Sequence, residues 1–135
     1  MRRVYLDACI VIYLMENVAS FSEKTRHFLS RNGDAILCVS PLVRMEVLIK
    51  PLRESSAILT ADYEDFLAAQ NWLRIDDSTF ERALQLRARY GLKTPDALHL
   101  AVAQQHGCDE FWTNDDRLNT VAEKMAVNVL SQAAP

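Results

Sequence analysis

The stretch Val4-Tyr5-Leu6-Asp7 sets three apolar residues, with no polar alternation, directly before a carboxylate. A short continuous apolar run of this kind marks a strand covered on both faces rather than one half exposed to water. Ala35-Ile36-Leu37-Cys38-Val39 repeats the pattern, and shorter runs follow near Trp72 to Ile75, Phe111 to Thr113 and Val127 to Leu130. Stretches with apolar residues at 3.6-residue spacing separate them. Strands alternating with helices require crossover connections, which are right-handed and place helices over a parallel sheet. The predicted class is therefore α/β: an α/β/α sandwich with a central parallel sheet of about five strands.

Punctuation supports this order. Gly33, Gly91 and Gly107 each follow a segment of helical spacing, where a left-handed C-terminal cap favours a residue without Cβ. Ser40-Pro41 and Thr94-Pro95 have the form of an N-cap followed by the first helical residue. After Ser40 a helix is expected to reach about Lys50 and to break at Pro51. A second helix from about Ser55 would then fold back as an antiparallel hairpin.

The 135 residues are 50% hydrophobic and 24% charged, enough for one core and too few for two full domains. One domain is expected over residues 1–131, with a frayed tail at 132–135. Fifteen basic and eighteen acidic side chains give a formal charge of −3, which excludes a global positive field for nucleic acid or anionic membrane. Cys9, Cys38 and Cys108 are odd in number and widely spaced, so neither a disulfide framework nor a cysteine zinc site is expected. Asp7 interrupts the one segment that imitates a signal peptide, and no apolar run approaches the roughly 20 residues of a membrane span. A soluble, cytoplasmic chain with no membrane partner is expected.

In open parallel sheets ligands collect beyond the carboxyl ends of the strands. Asp7 ends the first strand, Asn114, Asp115 and Asp116 follow the fourth, Asp96 lies in the first turn after Thr94-Pro95, and Glu46 lies two turns into the helix opened by Ser40. Each has a structural alternative. Asp7 suits an N-cap, Asp96 a helix dipole, Asn114 to Asp116 a turn, and Glu46 a surface pair with Lys50. Together they make a different case. Glu46 has Val43 and Val47 beside it on the helix, so a partly buried carboxylate there calls for a cation or a donor. Four clustered carboxylates call for a divalent ion, and an all-oxygen set suits Mg²⁺ or Mn²⁺. Such sites hydrolyse phosphodiesters, and a nucleotide-binding loop is absent from the sequence.

The motifs Tyr5-Leu6-Asp7, Ser40-Pro41-Leu42-Val43-Arg44-Met45-Glu46, Thr94-Pro95-Asp96-Ala97-Leu98-His99 and Trp112-Thr113-Asn114-Asp115 resemble PIN-domain ribonucleases, most closely VapC-type toxins of type II toxin–antitoxin systems. The resemblance implies that Asp7, Glu46, Asp96 and Asp115 are the catalytic and metal-site acids, with Ser40, Thr113, Asn114 and Asp116 as polar support. It also implies Mg²⁺ or Mn²⁺, cleavage of RNA such as transfer or ribosomal RNA, inhibition by a cognate antitoxin, and a homodimer. One departure stands out: many relatives carry a polar Thr or Ser and then Asn after the first Asp, where this chain has Ala8-Cys9.

Other residues are read plainly. Arg44, Lys93 and Arg117 are expected to be solvated. His99 and His106 are expected to pack or to lie at the surface, because no third ligand is spaced for a metal. Ile10, Ile12, Leu14, Met15, Phe21, Phe28 and Leu29 are expected to fill the core, the alternative being a groove for an antitoxin helix. Two functional readings follow: a metal-dependent endoribonuclease toxin, and a nuclease-inactive module that holds RNA or a protein. An aspartyl-phosphate enzyme is disfavoured, since Cys9 stands where its D-x-D signature needs a second acid.

Overall fold

The computed structural model describes residues 1–121 and 125–132. These form strands β1 (Arg3–Leu6), β2 (Ile36–Val39), β3 (Asn71–Trp72), β4 (Glu110–Thr113) and β5 (Ala126–Asn128). The helices are α1 (Ala8–Met15), α2 (Ala19–Ser30), α3 (Pro41–Arg53), α4 (Ala57–Ala68), α5 (Asp77–Tyr90), α6 (Thr94–Gln105), α7 (Leu118–Val121) and α8 (Val129–Gln132). All strand pairs are parallel, in the order β3-β2-β1-β4-β5. The expected α/β/α fold with five parallel strands is what the chain adopts.

Successive strand residues point to opposite sides of the sheet. Leu6 is in register with Trp112, whose ring meets Phe28 of α2 edge-on at 4.8 Å. Tyr5 is in register with Phe111 and stacks on it at 5.4 Å, while its ring lies 5.6 Å from that of His99 on α6. One layer thus carries α2 and the other α6, and Val4, Tyr5, Leu6, Phe111 and Trp112 between them are buried. Core filling accounts for most of the apolar excess after Asp7: Ile10 and Phe28 are buried, and Ile12, Leu14, Met15 and Leu29 pack against the core. Phe21 remains partly exposed.

The strand order reverses direction between β1 and β4. Chain entering from β1 moves outward to β2 and β3, then returns to the other side of β1 for β4 and β5. The crossovers on either side of that point leave a crevice above the carboxyl ends of β1 and β4, where ligands of such sheets bind.

Several local expectations shift. α3 does not break at Pro51 but runs through it to Arg53, and Pro51 is buried. Proline forfeits the bond to the carbonyl four residues back and crowds it, and here only Leu52 and Arg53 follow in the helix. The turn comes instead at Ser55, in the left-handed region at φ 54°. The hairpin forms as expected, with Arg44 of α3 clasping Glu64 of α4 through two bonds of 2.8–2.9 Å. Gly91 and Gly107 have φ 69°, but Gly33 is not left-handed, because α2 has already been capped at Arg31. α6 begins one residue early: Lys93 is the N-cap and Thr94 is helical without a capping bond. β3 stops at Trp72, short of Ile75, and the last strand is Ala126–Asn128, because Val129 and Leu130 turn into α8. Gln132 closes that helix, and the rest of the expected tail, residues 133–135, lies outside the described residues. No helix among the described residues is long and apolar enough to cross a membrane.

Candidate active site

Asp7 is the first residue beyond β1 and the N-cap of α1, so its backbone is fixed between two elements. Its Oδ1 accepts from the Ala8 amide at 2.8 Å, and its Oδ2 accepts from the Thr113 hydroxyl at 2.8 Å. The capping alternative is thus real, yet it occupies only one oxygen. Thr113 is the buried last residue of β4, and its Oγ1 also accepts the Asp115 amide at 3.1 Å. One hydroxyl therefore ties the acid after β1 to the loop after β4.

Asp96 lies in the first turn of α6, half-buried. Burial raises its pKa above the ordinary aspartate value, and the negative charges of Asp7 and Asp115 raise it further. Three acids from three separate segments therefore share one electrostatic environment. Asp115 shifts the other way. The Arg117 guanidinium grips both its oxygens, from Nε at 2.9 and 3.0 Å and from Nη2 at 2.5 Å, and holds its carboxyl below the usual range. Lys93, Asp96, Asp115 and Arg117, with Tyr90 and Leu118, line a cleft of about 250 Å³.

Glu46 does not pair with Lys50, which instead reaches Glu16 at 2.9 Å. The polar partner that its apolar flank calls for is His99, whose Nε2 lies 2.5 Å from Glu46 Oε1 and 4.0 Å from Asp7 Oδ1. Ser40, buried, caps α3 by accepting the Val43 amide at 3.4 Å and lies 2.8 Å from the Tyr5 hydroxyl. The contacts of the remaining two residues lead elsewhere. Asn114 donates to the Tyr13 hydroxyl at 2.7 Å, and Asp116 accepts from Asn128 at 3.0 Å in a separate cleft that includes Arg2.

Two residues outside the predicted set, His99 and Arg117, contact its acids directly. Of the two places expected for His99 it takes the packed one, buried and joining Tyr5 to Glu46, while Arg117 is solvated as expected but also engages Asp115. For His99 a signal existed: it stands three residues after Asp96, one helical turn along the same face. Cys9, at the point of departure from the family pattern, is half-buried against Thr113 and Asn114, and desolvation with the nearby Asp7 charge pushes its thiol up to about 12. It is a neutral packing group at neutral pH.

The donor set is all oxygen and the charges of Asp7 and Asp115 bear on Asp96, a repulsion that a hard divalent cation relieves. As the side chains stand, no three of the described His, Cys, Asp and Glu residues close around an ion. Glu46 is drawn to His99 and Asp115 to Arg117. The acids thus fit Mg²⁺ or Mn²⁺ by type, with internal partners where an ion would sit.

A family model described as PIN domain matches residues 4–124. No curated protein sequence matches significantly. Among solved structures, a toxin-antitoxin complex from Klebsiella pneumoniae superposes with a TM-score of 0.77 at 24% identity, covering 93% of this chain and 97% of that one. VapC20 of Mycobacterium tuberculosis, described as a Sarcin-Ricin loop cleaving toxin, gives 0.74 at 13% identity, over 87% and 94%. FitAcB from Neisseria gonorrhoeae gives 0.71 at 16% identity, over 93% and 97%. At these identities the superpositions establish the shared fold.

Proposed function

The chain belongs to the PIN domain family, and from that premise we propose that it is a metal-dependent endoribonuclease of the VapC toxin type, hydrolysing RNA phosphodiesters. The observation that carries the reading is the raised carboxyl of Asp96, set against Asp7 and Asp115 at the strand ends. Asp7, Asp96 and Asp115, with Glu46 beside them, would hold Mg²⁺ or Mn²⁺. When bound, the ion supplies Lewis acidity that lowers the pKa of water and offsets charge developing on the phosphate.

The chain's own residues do the rest. Thr113 and the Ala8 amide fix both oxygens of Asp7, His99 binds Glu46, and Lys93 and Arg117 place positive charge at the rim of the cleft, where an RNA phosphate would approach. The Klebsiella pneumoniae relative is a toxin-antitoxin complex, which supports a cognate antitoxin as the natural partner here. The exposed Met45, Ile49 and Leu52, at helical spacing on α3, and Phe80 and Leu84 on α5 provide apolar surface suited to a homodimer. A cytoplasmic location goes with this reading.

The second reading, a nuclease-inactive module that binds RNA or protein, draws on Cys9 and on the internal partners of Glu46 and Asp115. The test is incubation of the purified chain with total RNA in Mn²⁺ or Mg²⁺, against chelator and against Asp96→Asn, with mapping of new 5′ ends. Discrete cuts lost in both controls support the nuclease. Metal binding by a folded wild type without cuts supports the binding module.

A further inference from the structure

We propose that His99 is the positioning residue of the acidic site: held as its Nε2–H tautomer by Tyr5 and Ser40, it donates to Glu46 and sets that carboxylate in place. The consequence for metal binding rests on the nuclease reading; the direction of the hydrogen bonds does not.

Four side chains form a hydrogen-bonded chain whose protons can be assigned one by one. Glu46 Oε1 lies 2.5 Å from His99 Nε2, His99 Nδ1 lies 2.6 Å from the Tyr5 hydroxyl, and that hydroxyl lies 2.8 Å from Ser40 Oγ. Tyr5, Ser40 and His99 are at most 2% exposed, so each polar atom must find its partner inside the protein. A carboxylate only accepts, so the proton on that side sits on Nε2. With that proton on Nε2, Nδ1 is the ring nitrogen left to accept from Tyr5. Tyr5 keeps its proton, since burial raises its pKa far above neutrality, and donates it there. The Tyr5 oxygen accepts from Ser40, and Ser40 Oγ accepts the Val43 amide at 3.4 Å. Every proton has an acceptor.

The reverse direction fails at its end. If Nδ1 carried a proton and donated to Tyr5, Tyr5 would donate to Ser40, and the Ser40 proton would have no acceptor among the described residues. A buried donor left unmade is costly, which selects the first direction. The ring is also fixed in orientation. Tyr5 lies against it on one side and is itself stacked on Phe111. His99 Nε2 stands 4.0 Å from Asp7 Oδ1 as well, so the donor lies between two acids from different elements. Glu46 Oε2 has no hydrogen bond among the described residues and is the oxygen left for a ligand.

The test begins with long-range ¹⁵N NMR of the metal-free full chain, with labelled histidine. The expected signature for His99 is a protonated Nε2 and a bare Nδ1, with that preference weakened in Tyr5→Phe, which keeps the ring packing. Calorimetric titration with Mn²⁺ follows. His99→Gln, whose amide keeps an N–H near Nε2, should bind within about threefold of wild type. His99→Leu should bind about 10- to 100-fold more weakly, as is usual when a group supporting a metal ligand is lost. On RNA, kcat should fall in His99→Leu while KM holds. A wild-type ring protonated at Nδ1 overturns the proposal whatever the activity. Equal Mn²⁺ affinity in folded His99→Gln and His99→Leu overturns the positioning role. A wild type that neither binds Mn²⁺ nor cuts RNA sinks the nuclease reading instead, and the tautomer signal then decides the hydrogen-bond direction alone.

Discussion

The α3 side and the β4 side of the acidic wall each hold a carboxylate by a partner of opposite character. Glu46 is bonded to His99, which is 2% exposed and braced by Tyr5 and Ser40. Asp115 is gripped by Arg117, whose side chain is 74% exposed and, among the described residues, hydrogen-bonded to that acid alone. The first is a product of core packing and cannot be released without disturbing the sheet. The second is a surface ion pair, weak in water and screened by salt. The difference teaches which half of the site is preorganised: Glu46 is fixed by a buried partner, whereas Asp115 is held by an exposed charge that a competing ion would meet first.

Between the two sides stand Asp7 and Asp96, and removing either should erase the comparison by erasing the site. Asp96→Asn or Asp7→Asn is expected to lower the single-turnover rate of RNA cleavage by about 10³-fold, the scale of losing several kcal/mol of metal-assisted stabilisation. Retention of wild-type rates by both would refute the acid assignment. A smaller effect is expected at the link between strand ends. Thr113→Val keeps the shape of a buried side chain but frees Asp7 Oδ2 and the Asp115 amide. Loss of such a supporting bond should cost about 10- to 100-fold in activity, with the fold intact by circular dichroism.

Arg117→Gln sharpens the contrast from the soft side. If the guanidinium competes with a cation for Asp115, the variant should bind Mn²⁺ more tightly than wild type, by less than about fivefold, since exposed pairs are worth little. The gain should shrink as ionic strength rises. Weaker binding in Arg117→Gln would show that the pair helps to build the site instead.

The legibility of these features follows their locality. Val4-Tyr5-Leu6 and Ile36-Leu37-Cys38-Val39 were readable as buried parallel strands because apolar runs carry that signal directly. Ser40 was readable as a cap because the motif is contained in four residues. The carboxylates at strand ends were found by a topological rule that needs no coordinates. What the sequence hid were contacts between distant segments. Nothing local says that Lys50 prefers Glu16, or that Glu46 meets a histidine 53 residues away. Pro51 misled because the cost of proline depends on how many helical residues follow it, and here only two do. Ala8-Cys9 drew attention as a missing polar support, yet Thr113 supplies a bond to Asp7 from across the sheet.

The smallest effect concerns stability and separates the two aspartates by sign. Asp96 has a folded pKa raised by burial and by Asp7 and Asp115, so its ionisation opposes folding. Its contribution is fully favourable below the unfolded value of about 3.9 and is lost as pH rises through the folded value. Metal-free Asp96→Asn, which is neutral at every pH, should therefore melt at a higher temperature than wild type at pH 7. That gap should close as pH falls toward 4 and wild-type Asp96 takes up its proton. Asp115 has a folded pKa lowered by Arg117, so its contribution is present above about pH 3.9 and is lost below it, as pH falls through the folded value. The two windows lie on opposite sides of the ordinary aspartate pKa, so a melting-temperature series from pH 3 to pH 7 resolves them. Saturating Mn²⁺ should reverse the order at pH 7, because an ion bound only by the folded wild type stabilises it by mass action. A gap that persists unchanged from pH 7 to pH 4 would mean that Asp96→Asn acts through packing rather than through charge, and the electrostatic wall would lose its central member.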